Sequence, residues 1–332
     1  MKKIFIILFL VNFSIYSQIS VGARHTGKPL KFKKGILKKF KESKTIFIFS
    51  DVFSKEIYEK ILKDSWNVNP YEIISVKDFD IVNYLDNKHS FATLDGYLKT
   101  VNMGNISVTR LYFNFTISMY EAEKLKEKIS NGISKNKSKI YAKYEIPIAQ
   151  FSLFPKFGST VAAHTYTPES FSDKLFTEDL FLNYQPGFLK NYFQKINSLL
   201  KNETLYWKYQ NSKSSDLAKL KSHSLYIAED IKDTFHFMKK KNRNNIDKLI
   251  KELFSNYNFN YKFISSDALN NKILNNEDLF YLRFVRVSDE KFIQIINSMN
   301  GNIVYSDYVP GISYNLKKKD ILNLNKAINK SK

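Results

Sequence analysis

Two stretches of the chain carry the same pattern of apolar and polar positions. Thr45-Ile-Phe-Ile-Phe-Ser-Asp51 is a short apolar run that ends on an acid, and Ser224-Leu-Tyr-Ile-Ala-Glu-Asp230 repeats it. Bounded runs of this length, rich in β-branched and aromatic residues, predict buried strands. Leu37 and Phe40 precede the first run and Leu217 and Leu220 precede the second, with the same spacing within each pair. Past each run, apolar residues recur at helical spacing: Tyr58, Ile61, Leu62 and Trp66 in one half, Ile246, Leu249, Ile250 and Phe254 in the other. A second strand then follows in both, Tyr71-Glu-Ile-Ile-Ser75 and Tyr261-Lys-Phe-Ile-Ser265, with Asp78 and Asp267 just beyond. The halves differ by a lysine-rich insertion at 231–245. Each half therefore reads as a strand–helix–strand unit, and the two units read as an internal repeat.

Beyond these units the pattern turns antiparallel. In the first half, strands are expected at 91–99 and 108–117, a helix at 120–133, and further strand across 141–154. In the second half, strands are expected at 279–287, 292–297 and 303–305, the last two joined through the turn dipeptide Asn300-Gly301. A closing helix is expected at 316–328, with Asn315 as its N-cap. The stretch 155–187 is loop-rich, and an amphipathic helix follows it, with Phe188, Leu189, Tyr192, Phe193 and Ile196 along one side. The fold class expected is α/β in the mixed, α+β sense. Two similar mixed-sheet domains are expected, each a strand–helix–strand unit followed by antiparallel strands and a helix. The division expected is a leader at 1–17, an N-terminal linker at 18–43, a first domain at 44–154, a linking loop and helix at 155–201, and a second domain at 202–332.

The first residues change the picture of where the protein works. Lys2 and Lys3 precede an unbroken apolar run, Ile4 to Val11, and polar residues return at Asn12, Ser14 and Ser17. This is the three-part grammar of a secretory signal, with cleavage expected before Gln18. The run is too short for a span of about 20 apolar residues. Cysteine is absent, which excludes disulfides, thiol nucleophiles, thiolate metal sites and a lipid-modified N-terminal cysteine. The expectation is a periplasmic or secreted protein, not a lipoprotein, with no transmembrane segment after cleavage.

The net charge of +20 does not imply specific nucleic-acid recognition. Of 52 basic residues only five are arginine: Arg24, Arg110, Arg243, Arg283 and Arg286. Base and phosphate readout leans on the planar arginine fork, and the lysines here are spread along the chain.

Candidate chemistry is sparse. Gly22-Ala-Arg-His-Thr-Gly27-Lys28-Pro29 nearly spells a phosphate-binding loop, but Pro29 stands where magnesium needs Ser or Thr, and the loop lacks a strand ahead of it if the leader is removed. His164 and Asp173, near Ser159, Thr160 and Ser170, are the candidate catalytic residues, because that loop alone gathers the ingredients of a site. Asp230, Asp233 and His236 could meet on one turn of helix as a metal site. Asp51 and Asp230 end matching strands, where open α/β sheets bind ligands, so a paired-acid site is one reading; the favoured expectation is that each caps the helix that follows or stabilises the turn. No cofactor is expected.

Residues Trp66-Asn-Val-Asn-Pro70-Tyr-Glu-Ile-Ile-Ser75, followed by Asp78-Phe79, resemble a recurring segment of uncharacterised exported α/β proteins of AT-rich bacteria. That resemblance implies no activity and no site residues. The function expected is a non-enzymatic envelope or secreted binding or assembly protein, with another envelope protein or a glycan as partner; the alternative is a periplasmic or secreted hydrolase. Converging carboxylates in a pocket would favour the second.

Overall fold

The computed structural model describes residues 18–25, 30–103, 106–131, 137–156, 168–209, 214–238, 246–287, 290–310 and 315–332. The expected leader at 1–17 lies outside them. Among the described residues no helix is long and apolar enough to cross a membrane.

The chain forms two mixed sheets with helices packed on them. In the first, β2 (Lys44–Phe49) runs parallel to both β3 (Tyr71–Ser75) and β4 (His89–Met103). β5 (Ile106–Tyr120) and β6 (Glu145–Ser152) continue antiparallel, and β1 (Ile19–Val21) closes the edge. The order is β1-β6-β5-β4-β2-β3. The second sheet repeats it without the added edge strand, as β11-β10-β9-β7-β8. Here β7 (Leu225–Ala228) is parallel to β8 (Tyr261–Ile264) and to β9 (Phe280–Val287), while β10 (Glu290–Asn297) and β11 (Ile303–Val309) are antiparallel. Order and strand directions correspond one for one, as the repeated pattern predicts.

The register corrects one detail of that repeat. Thr45 pairs with Tyr71 and Ser90; Leu225 pairs with Tyr261 and Phe280. Thr45 therefore matches Leu225 and not Ser224, so Asp51 and Asp230 are offset by one residue. Side chains alternate along a strand, and a one-residue slip puts matching letters on opposite faces.

The helices follow the same correspondence. α1 (Ile36–Glu42) and α2 (Lys55–Lys63) surround β2 in the chain. α3 (Ala122–Ser130) and α4 (Lys137–Tyr144) lie between β5 and β6, so the strand expected from 141 begins only at Glu145. α5 (Pro168–Thr177) and α6 (Pro186–Lys201) follow β6. In the second half come a 3-10 helix (Ser215–Lys221), another (Glu229–Met238), α7 (Ile246–Phe254), α8 (Ser266–Leu274) and α9 (Lys318–Lys330). The N-cap of α9 is Lys317, not Asn315. The Asp320 carboxylate accepts from the Lys317 backbone N–H at 2.7 Å, which satisfies a donor that Asn315 is too far upstream to reach.

Helix α6 sits between the two sheets. Phe193 packs edge-on to Phe47, Trp66, Phe115 and Phe151 of the first unit. Its neighbour Tyr192 stacks on Phe151 at 4.2 Å and carries the Arg283 guanidinium 4.0 Å above its other face. Phe188 stacks on Tyr281 of β9 at 5.1 Å. Apolar residues thus cover both sides of the helix, and it belongs to a core shared by the two units. The Asn300-Gly301 turn touches it too. Gly301 has φ 68, and an added Cβ would lie 2.2 Å from the Asn191 carbonyl oxygen, so only glycine fits. The opposite face of the second sheet packs on α9 and α7 through Ile321, Leu324, Ile328, Ile250 and Phe254.

Candidate functional site

Alternation in Asn114-Phe-Thr-Ile-Ser-Met-Tyr120 sends Phe115, Ile117 and Met119 into the core and leaves Asn114, Thr116, Ser118 and Tyr120 on the far face of the first sheet. Cross-strand pairing sets Thr93 beside Thr116, Phe91 beside Ser118 and Glu145 beside Tyr120. On this face lies a cleft of about 240 Å³, walled by the sheet, by Phe79 and Ile81, and by Tyr141 and Ala142 of α4. Phe79, Phe91, Tyr120 and Tyr141 form a chain of ring contacts around it, with centroids 5.9, 5.5 and 6.3 Å apart.

Two carboxylates open into the cleft, Asp95 and Glu145. Asp95 lines the recess while keeping exposed surface; partial desolvation raises its pKa against a hydrogen bond from the Gly96 N–H. Burial also raises Glu145, the Ser118 hydroxyl opposes this by hydrogen bonding, and the charge of Asp95 adds to it. Tyr120 is pushed up by burial and by both acids, and Tyr141 by burial and by Asp80 at the rim. None of the described residues lining the cleft is Lys or Arg. In a chain of net charge +20 this is a local reversal of sign. The arrangement can receive a cation, by carboxylate pairing and by aromatic faces, and it repels anions.

Other recesses offer less. One of about 280 Å³ lies at the joint between the units, but its amides are engaged with one another: Asn197 donates to Asn67 at 2.8 Å and receives from its N–H at 2.9 Å, while Gln194 donates to the Met299 carbonyl. A recess at the end of β7, lined by Asp230, holds only about 30 Å³, room for a water. A buried polar cluster joins the units elsewhere. Tyr209 and Tyr308 donate to Glu290 at 2.5 and 3.1 Å, and Lys208 approaches its other oxygen at 3.7 Å. The nearby His25 has its pKa lowered to about 4 by burial and by the charge of Lys208.

The residues nominated by sequence do not converge on any of these places. His164 lies outside the described residues, as do Ser159 and Thr160. Asp173 is exposed on α5. Asp230, Asp233 and His236 fall at three-residue intervals on a 3-10 helix, which places them along one edge; only the side chain of Asp230 is described. Among the described residues no group of three His, Asp or Glu is arranged to hold a metal ion.

Asp51 is not a helix cap. Ser54 occupies the N-cap position of α2 with no side-chain cap bond, and Asp51 instead pairs with Lys77 at 2.8 Å. The turn between Asp51 and the helix is too long for its carboxylate to serve the first N–H groups. A strand, β1, does stand directly before Gly22, but Leu30–Gly35 is not helical, and among the described residues the first helix after the strand, α1, begins only at Ile36. In the segment that resembles exported proteins, Asn69 accepts from Trp66 Nε1 at 2.8 Å and from Thr45, and donates to the Phe40 carbonyl. That segment is a structural knot.

The cleft acids were missed because neither belongs to a motif. The one available signal was the clean alternation of 114–120, which marks a sheet face that α6 does not cover. Comparison with protein-family models, curated proteins and solved structures finds no match.

Proposed function

We propose that the chain is exported and acts by binding, taking a cationic group, such as a lysine ammonium of a protein partner, into the cleft over the first sheet. The observation that carries this reading is the pairing of Asp95 and Glu145 with four aromatic walls and no basic residue among the described lining residues. Ammonium recognition needs both elements, charge to pair with and ring faces to replace water. Export rests on the charged and apolar pattern of the first residues. Gln18 is wholly buried and accepts a hydrogen bond from Tyr192 at 2.6 Å.

Titration with a lysine-rich peptide and with its fully acetylated form tests the reading. The charged peptide should bind, more tightly as pH rises through the raised carboxyl range, and Asp95→Asn with Glu145→Gln should abolish binding. Equal binding of both peptides, or binding of a neutral oligosaccharide instead, overturns it. Hydrolysis is the second reading, favoured by Glu145 alone: burial raises its carboxyl pKa, the direction in which a general acid is tuned. Turnover of a glycan or peptide that disappears in Glu145→Gln would establish it.

A further inference from the structure

The two units are stacked back to front. α6 ends the first unit as α9 ends the second, each following the last strand of its sheet. Matching registers make Phe91, Thr93, Thr116 and Ser118 of the first sheet equivalent to Tyr281, Arg283, Gln294 and Ile296 of the second. In the second sheet that face is occupied by α6, through the Phe188–Tyr281 stack, the Arg283–Tyr192 contact and a hydrogen bond from Tyr281 to Asn191 at 2.9 Å. In the first sheet the same face holds the acidic cleft. At the other end of the stack α9 turns an unmatched side outward, and its exposed residues are Lys318, Lys319, Lys326, Asn329 and Lys330. Its one acid, Asp320, is buried and paired with Lys291.

We propose that the occupant of the cleft is a second copy of this chain, whose α9 lysines enter the first sheet's open face and so continue the internal stacking from molecule to molecule. This rests on the cation-binding reading of the cleft. The charges are complementary: a helix face with four lysines and no exposed acid meets a recess with two carboxylates and an aspartate, Asp80, at its rim. A cleft of about 240 Å³ is too small for a helix, so side chains enter and the backbone of α9 rests outside. The two surfaces are different, so the contact is head-to-tail and gives rings or open chains, not closed two-fold dimers. Being electrostatic and partly exposed, it weakens as salt shortens the screening length.

Sedimentation velocity on the full mature chain, over a range of concentrations at low and high salt, tests this. The weight-average mass should rise with concentration at low salt and fall back toward a single chain at high salt. Asp95→Asn with Glu145→Gln blocks the head, and Lys318→Glu with Lys319→Glu blocks the tail. Each variant alone should stay monomeric, and an equal mixture should form a 1:1 dimer and go no further, because each partner retains one working surface. Circular dichroism of each variant checks that it is folded. A wild-type chain that stays monomeric at low salt throughout, or a mixture of folded variants that does not pair, overturns the proposal. If the lysine-rich peptide still binds the wild-type cleft in that case, the cation-binding reading stands and only the second copy is excluded.

Discussion

The far face of the first sheet and the matching face of the second share a register yet meet opposite fates. At equivalent positions one carries Phe91, Thr93, Thr116 and Ser118, and the other carries Tyr281, Arg283, Gln294 and Ile296. The larger set fills its space. Arg283 donates from Nε and Nη2 to Gln294 at 3.1 and 2.9 Å, so its buried charge is met by an amide oxygen and an aromatic face inside a packed joint. The smaller set leaves a recess, and two carboxylates stand there at the cost of raised pKa values. A repeated backbone can therefore put one face to two ends: one copy is used up in packing, and the other is left as an open recess. Perturbed carboxyls in a cleft are a pointer to function because stability alone would not retain them.

The largest test of the contrast is truncation at the filled face. Phe188→Ala removes the ring stacked on Tyr281 and should destabilise by about 3–5 kcal/mol in chemical denaturation, as large-to-small core changes do. Tyr141→Ala at the open face should leave stability far closer to wild type while weakening binding of the lysine-rich peptide. Equal losses of stability at both positions would erase the distinction. A middle-sized effect is expected at Lys190, which is buried on α6 and donates to the Ile273 carbonyl and Asn276 Oδ1 at the end of α8, at 2.9 and 2.7 Å. Lys190→Met strands those acceptors and should cost about 1–3 kcal/mol.

At the open face the sign reverses. Asp95→Asn with Glu145→Gln should raise the melting temperature slightly at neutral pH, because the charged carboxyls are disfavoured by burial in the folded chain. Both folded-state pKa values lie above their unfolded values, so the folded chain binds protons more readily. The penalty of the charged acids is present at pH above the raised values and is relieved as pH falls through them toward the unfolded values. The melting-temperature gap between variant and wild type should accordingly shrink as pH is lowered across that window. A gap that widens on acidification would mean that the two carboxylates are stabilised by partners, contrary to the cleft reading.

How legible this was depends on which physical signal each feature leaves in the chain. Periodicity found α7 at its full extent and placed the antiparallel strands of both halves, because burial on one face imposes a repeat of 3.6 or 2. It missed α4, where Lys137–Tyr144 has no apolar stripe and only half-buried Ile140, Tyr141 and Tyr144 pack on the small cluster of Leu85, Ala122 and Leu125. It could not reveal that α6 is buried on both sides, because Phe188 and Tyr192 face a sheet that begins many residues later. The cleft was illegible for the same reason: Asp95 and Glu145 stand on two strands that flank a third, opposite Asn114 and Tyr120, and they share a cleft only through the fold. The offset between Asp51 and Asp230 is subtler still, since letters can align in sequence while their strands pair one residue out of step.

The smallest expected effect concerns that offset. A carboxylate that caps a helix is replaced well by Asn and badly by Ala, because the amide oxygen still accepts from backbone N–H groups. A carboxylate that serves only an ion pair is replaced equally badly by both. Asp51 pairs with Lys77, whose side chain is 72% exposed, and solvent around such a pair leaves it little net worth. Asp51→Asn and Asp51→Ala should therefore give melting temperatures that coincide with each other and lie close to wild type. Any small difference from wild type should vanish at high salt, where screening removes the pair but would spare a cap. The lysine of the pair supplies the control: Lys77→Met should match both Asp51 variants, and a double variant should be no worse than either single one. If Asp51→Ala alone were distinctly less stable, with Asp51→Asn indistinguishable from wild type in low and high salt, the carboxylate would be acting on backbone N–H groups after all, and the two strand ends would share a turn in spite of their register.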